Sequence, residues 1–207
     1  MSKIFSWLEL IIVFIGLPYI IAVYHFPRPI LYSILATACI YIILRNLHTI
    51  DWRAFLVFPR SKTIWFNVVG RTLILLLLSI IAMLILPNKG WFLLPKYNIW
   101  LWLAIMVLYP VISVLPQEII WRFHLLENTK NILPSRQLRI IVSAVLFGWV
   151  HIIFGTVFAV VATIYLGLQL AYAYYQGQKS FWVVWVEHSL AGQIAFTIGL
   201  GVYFYNG

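Results

Sequence analysis

Residues 64–86 read IWFNVVGRTLILLLLSIIAMLIL, an unbroken apolar run relieved by a single charge, Arg71. About 20 apolar residues in a helix span the hydrocarbon core of a bilayer, so this stretch is long enough to cross one. The same reading extends outward in both directions. Towards the N-terminus lie the apolar runs 8–24 and 30–44, and towards the C-terminus 99–121, 138–154, 157–175 and 181–198. Pro27 and Pro29, Pro59, Pro87 to Gly90, Pro134, Gly155 and Gly177 separate them, as helix-breaking residues do. The pattern predicts an all-α fold, a polytopic transmembrane bundle of about seven helices forming one membrane domain over residues 1–207. The short second run fits a tilted helix, or a re-entrant pair with the first. The opening stretch after Lys3 has the look of a signal peptide, but Glu9 interrupts it and the nearest small-residue site, Ala36 and Ala38, lies far downstream. It is expected to remain as the first helix.

Composition points the same way. Apolar residues make up 64% of 207 positions, charged residues 9%, and the mean hydropathy is +0.98. A soluble domain needs about a quarter of its residues charged. The net charge of +9 does not mark a nucleic-acid binder, because the basic residues fall between apolar runs and not on one polar face. With the N-terminus cytoplasmic, that side holds Lys3, Arg45, Arg53, Arg60, Lys62, Arg71, Arg122, Lys130, Arg136, Arg139 and Lys179, eleven of the 14 basic residues. The other side keeps Arg28, Lys89 and Lys96, and this asymmetry sets the expected orientation. The one cysteine, Cys39, excludes an intrachain disulfide. Ala159, Thr163, Gly167 and Ala171 form a small-residue stripe at four-residue spacing, read as a close helix–helix contact.

Ionisable groups inside apolar helices are costly and therefore candidates for function. Glu118, His151, Glu187 and His188 stand out. Glu118 and Arg122 share a helix face at i, i+4, and a plain ion pair is the structural alternative for them. His151 follows Phe147 by four residues, and a hydrogen-bonded structural histidine is the alternative there. Glu187 and His188 are adjacent and point about 100° apart, so at most one faces a common centre. His25, His48 and His124 fall in or near expected loops and receive no role. Glu118 lies near the cytoplasmic end of its run, and His151 and His188 lie roughly 18 Å and 12 Å along theirs at 1.5 Å per residue. A shared polar pocket reached from the cytoplasm is geometrically possible. A carboxylate and two imidazoles can activate a water and stabilise a tetrahedral intermediate, or ligate a divalent metal with an open position. The same groups can relay protons in a transporter.

Gln117-Glu118-x-x-x-Arg122, Phe147-x-x-x-His151 and His188-x-x-x-Gly192 occur in that order on successive helices. This resembles the CPBP family of intramembrane proteases, the CAAX prenyl protease and bacteriocin-processing enzymes also called Abi, whose pattern is EExxxR, FxxxH and HxxxN. The LFGWVH context and the run Gly167-Leu-Gln-Leu-Ala171 are similar to it too. The resemblance covers about half of the chain. It implies N-terminal helices over 1–98, a catalytic core over 99–200, and a multi-pass protein of a bacterial inner or cell membrane. It implies an endopeptidase acting on a membrane-associated or lipid-anchored peptide, with membrane lipids and that substrate as partners. Glu118, Arg122, His151 and His188 match the family's motif positions. Two positions depart from it. Gln117 stands in place of the first glutamate, and an amide is no useful base at neutral pH. Gly192 stands in place of the asparagine, with Gln193 beside it as a possible substitute donor. The implied division of labour gives Glu118 the base role, His151 the positioning of water and His188 the developing oxyanion. Gln117 adds an amide donor and Glu187 an accessory acid. No cofactor is expected; a zinc-dependent variant would use Glu118, His151 and His188. The alternatives are a degenerate scaffold or immunity protein on the same fold, and a proton-coupled transporter using Glu118 and Glu187, which the lack of an internal repeat disfavours.

Overall fold

The computed structural model describes residues 3–46, 55, 58–86 and 90–204, without the side chain of Arg28. Among these residues there are helices and no strands. The helices are α1 (Lys3–Tyr24), α2 (Arg28–Arg45), α3 (Lys62–Ile85), the short α4 (Leu93–Tyr97), α5 (Ile99–Asn131), α6 (Arg136–Phe154), α7 (Val157–Gln176) and α8 (Phe181–Ile198). Five of them, α1, α3, α5, α6 and α7, are long and apolar enough to cross a membrane. The second run is a shorter apolar helix, and the eighteen-residue α8 is not among the five because Glu187, His188 and Gln193 dilute its apolar residues. The break at Pro87, the basic residues Arg53 and Lys89, and His48 lie outside the described residues.

Most helix limits fall within a few residues of the apolar runs, since hydropathy and helix breakers both mark them. The exceptions are the two ends where polar residues continue the helix. The first begins at Lys3, ahead of the expected residue 8, and α5 runs on to Asn131, ten residues beyond the apolar run. Several polar groups on its last turns have partners that let the helix continue. Arg122 pairs with Glu118, and His124 Nε2 lies 2.7 Å from Glu9 Oε1 on α1. Asn128 Nδ2 donates to His124 Nδ1 at 2.8 Å. The expectation that His124 lies in a loop is therefore corrected: it is a buried helical residue. His25 does end α1, in the left-handed region at φ 48°.

The chain divides into two compact units, one drawn from residues 1–50 and 116–172, the other from 51–115 and 173–205. In the first, the small-residue stripe of α7 packs as expected: Ala159, Thr163 and Ala171 are buried. A Cβ built on Gly167 would stand 3.0 Å from Ala144 Cα and 3.2 Å from Phe147 Cβ, and one on Gly148 would stand 2.8 Å from the Val160 carbonyl. The backbones of α6 and α7 thus touch through glycine. Phe14, Trp121 and Phe147 stack edge to face, with centroids 5.2 and 5.4 Å apart, and tie α1, α5 and α6 together.

In the second unit, α5 is fastened to α8 through a proline. Pro110 has no N–H, so the carbonyl of Met106 four residues earlier loses its helical donor. Gln193 Nε2 supplies one at 2.8 Å. A π-helical turn follows over Pro110–Val114, and the Pro110 carbonyl accepts from Trp185 Nε1 at 2.8 Å. Trp102 Nε1 donates to Thr197 Oγ1 at 3.0 Å. Neighbouring helices commonly re-satisfy backbone groups freed by proline in lipid. A second π-helical turn, Ile119–Leu125, carries Arg122 in the first unit.

Gly148→Val and Gly167→Val are expected to destabilise the protein by about 1–3 kcal/mol each, because the added methyls overpack a closed contact. Gly70 has open space around its missing Cβ, and Gly70→Ala is expected to be neutral or slightly stabilising. Thermal unfolding in detergent micelles compares the three directly.

Candidate active site

Glu118 and Arg122 are both fully buried. Arg122 Nε donates to Glu118 Oε2 at 3.1 Å and Arg122 Nη1 donates to Ser143 Oγ at 3.1 Å. Its guanidinium carbon also lies 5.5 Å from the centroid of the Phe147 ring, within cation–π range. A carboxylate has about four acceptor sites, and the arginine bond takes one of them on Oε2. The ion-pair reading of these two residues is therefore realised, and it neutralises a charge that an apolar surround would otherwise expel.

Ser143, Phe147 and His151 recur every fourth residue, so α6 presents them along one face. Phe147 serves two neighbours at once. Its ring carries the Arg122 guanidinium, and its backbone carbonyl lies 2.6 Å from His151 Nδ1. A carbonyl only accepts, so Nδ1 carries the hydrogen and the Nε2 of a neutral His151 is left as the acceptor. The Phe147 and His151 rings meet edge to face at 4.9 Å. His151 itself is half-buried, at the point where α6 tightens into a 3₁₀ turn over His151–Phe154. Gln117 is half-buried beside the fully buried Glu118. Ser143 is a site neighbour that the motifs did not name, although extending their four-residue period one turn back reaches it.

In the second unit, Glu187 and His188 are buried and face different partners, as their adjacency requires. Arg71 of α3 donates from Nε to Glu187 Oε1 at 2.6 Å and from Nη1 to Gln176 Oε1 at 2.8 Å. Arg71 and Arg122 are consequently internal ion-pair partners and not loop charges. His188 meets the Tyr109 ring edge to face, centroids 6.3 Å apart at 79°. The amide of Gln193 is engaged with the Met106 carbonyl. Neither Arg71 nor Tyr109 was singled out by the sequence pattern around the motifs.

Among the described residues, no three His, Cys, Asp or Glu side chains are grouped so as to hold a metal ion. The chemistry of the carboxylate agrees, since a guanidinium at 3.1 Å from Glu118 would repel a divalent cation offered to it.

Helices long and apolar enough to cross a membrane thus carry a buried glutamate–arginine pair and, on the helix that supplies Ser143 and Phe147, a carbonyl-oriented histidine. The model of a protease family, type II CAAX prenyl endopeptidase Rce1-like, matches residues 95–192 and supports membership of the chain in the CPBP family. No curated protein and no solved structure matches the chain.

Arg122→Leu leaves a buried carboxylate unpaired and is expected to cost about 3–5 kcal/mol, whereas the double variant Glu118→Leu with Arg122→Leu recovers most of that loss. Unfolding in detergent, compared across a double-mutant cycle, reads the coupling.

Proposed function

We propose that this chain is an intramembrane endopeptidase of the glutamic type that hydrolyses a peptide bond in a membrane-associated or lipid-anchored substrate. The observation that carries the reading is the double use of Phe147, which holds Arg122, and through it Glu118, on its ring and orients His151 through its carbonyl. The family match, to a model described as a CAAX prenyl endopeptidase, supports peptide hydrolysis as the chemistry.

In this mechanism Glu118 is the general base. It takes a proton from a water whose oxygen attacks the scissile carbonyl carbon, and the carbonyl π electrons move to oxygen. His151 holds that water through Nε2, and His188, by its place in the motif order, donates to the oxyanion. Collapse of the tetrahedral intermediate breaks the C–N bond, and the departing amine takes the proton back from Glu118. Arg122 keeps the carboxylate positioned. Gln117 is assigned an amide-donor role at most, and Glu187, already paired with Arg71, keeps α8 in place. That pairing engages Glu187 in the fold, which favours the peptidase reading over a transporter.

The proposed topology has about seven crossings and a cytoplasmic N-terminus. Setting the internally paired Arg71 and Arg122 aside leaves nine basic residues on the cytoplasmic side against three, so the asymmetry persists. A multi-pass location in a bacterial inner or cell membrane belongs to the same proposal.

In liposomes carrying the purified protein, a farnesylated peptide ending in a CaaX sequence is expected to be cleaved to a product seen by mass spectrometry. Glu118→Gln, which keeps a hydrogen-bonding partner for Arg122, and His151→Ala should each lower the rate about 100-fold or more while the protein stays folded. Cleavage retained in both variants defeats the reading and favours a scaffold on a protease fold.

A further inference from the structure

A cavity of about 340 Å³ lies in the second unit, between the short α4, the first turns of α5 and the end of α8. Leu93 and Leu94 of α4, Leu101 and Ile105 of α5 and Phe196 of α8 line it. Gly199 and Gly201, just past α8, contribute bare backbone to the wall. A Cβ on Gly201 would stand 2.6 Å from Phe196 Cδ1, so the glycine leaves that ring its place. Backbone contacts hold the frame. The Phe92 N–H donates to the Ile198 carbonyl at 3.1 Å, and the Leu101 N–H donates to Asn98 Oδ1 at 2.9 Å, capping α5.

An apolar cavity offers water no hydrogen-bond partners and stays dry. Left empty, it forfeits the contacts of every side chain around it. Among helices long and apolar enough to cross a bilayer, the material at hand is hydrocarbon. Tyr97 and Leu101 are exposed at the rim, which gives a chain its way in. Trp91, Tyr97 and Trp100 gather around α4, as aromatic residues do at the headgroup level, and Leu101 and Ile105 continue from there one turn apart along α5. The volume is at the low end of ligand sites, about 300–1,000 Å³, which suits one hydrocarbon chain and not the two of a whole phospholipid.

The rim also carries a charge. Lys96 is exposed on α4, next to Tyr97. Each described glutamate is paired with another cation: Glu9 with Arg45, Glu118 with Arg122, Glu127 with Lys130 and Glu187 with Arg71. Among the described residues, then, no carboxylate is left for Lys96, and a lysine at the headgroup level attracts anionic lipid.

We propose that this cavity is a lipid site that takes one acyl chain of an anionic phospholipid, with Lys96 against the headgroup. The bound chain lies along Leu101, Ile105 and Phe196, and the second chain stays in the bilayer. The site is built from residues of the second unit alone and stands whether or not the chain cleaves peptides.

The test uses the full-length protein in phosphatidylcholine vesicles containing a phosphatidylglycerol with a photoreactive diazirine on one acyl chain, the adducts being located by mass spectrometry. Labelling over 93–105 and 196–202 is expected to exceed that of the exposed α3 residues Leu73, Leu77 and Leu84 by about tenfold. Lys96→Gln should lower it about fivefold and leave the thermal midpoint, and the weaker labelling by a matching phosphatidylcholine probe, unchanged. Leu101→Trp fills the cavity and should lower labelling by both probes about tenfold. Labelling no stronger than along α3, or equal for the two probes and indifferent to Lys96→Gln, overturns the proposal. Labelling that vanishes as the protein-to-lipid ratio rises gives the cavity to a second copy of the chain and overturns it as well.

Discussion

A charge inside an apolar helix has to be neutralised by a partner within reach, and two arginines of this chain meet that demand in different ways. Arg122 finds Glu118 four residues earlier on its own helix. Arg71 finds Glu187, 116 residues away, joining α3 to α8. The local pair needs no tertiary structure to form, so it can be made as the helix is made. The distant pair exists only when the second unit is assembled, and a misplaced α8 would leave two opposite charges unpaired in hydrocarbon. Such pairs add little net stability compared with apolar residues of the same size, but breaking either one is severe. They act more as conditions on the fold than as glue.

The backbone imposes a second demand of the same kind. Pro110 frees the Met106 carbonyl, and the amide of Gln193 answers it; Trp185 adds a second donor to the carbonyl of Pro110 itself. The polar residues of α8 thereby separate by task. Glu187 satisfies a charge, Gln193 satisfies a backbone oxygen, and His188 faces a tyrosine ring. In the first unit the division is similar: Ser143 takes a guanidinium nitrogen, the Phe147 carbonyl fixes the tautomer of His151, and the Phe147 ring supports Arg122. The spacing Phe-x-x-x-His has a plain physical content here, a histidine placed to donate back to the carbonyl one turn before it.

Much of the helical layout was legible because hydropathy and proline or glycine breaks mark the same limits, and α8 matches its apolar run end to end. The end of α5 was not, since its last ten residues look polar and their partners, Glu9 among them, come from far away in sequence. The Glu118–Arg122 pair was legible from spacing alone. Arg71–Glu187 was legible in principle by elimination, because the chain has only five acidic residues and an arginine in an apolar run must find one of them. Tyr109 was not, because an aromatic residue in an apolar helix carries no periodic signature, and only coordinates show it occupying the hollow at Gly192. His124 was hidden for the same reason that α5 was cut short.

Charge balance also bears on Gln117. The first unit buries one acid of the motif, Glu118, against one arginine, Arg122, while the other buried arginine there, Arg139, spends its Nη1 on the carbonyls of Leu133 and Pro134 near the start of α6. A second glutamate at 117 would add a negative charge about 100° around the helix from the first, half-buried beside the existing pair. Its charge would compete with Glu118 for Arg122. An amide at that position leaves the pair neutral and keeps hydrogen-bonding capacity beside Glu118. The substitution that removes one potential base thus also removes the competition for the arginine, and Glu118 is left as the single carboxylate that Arg122 positions.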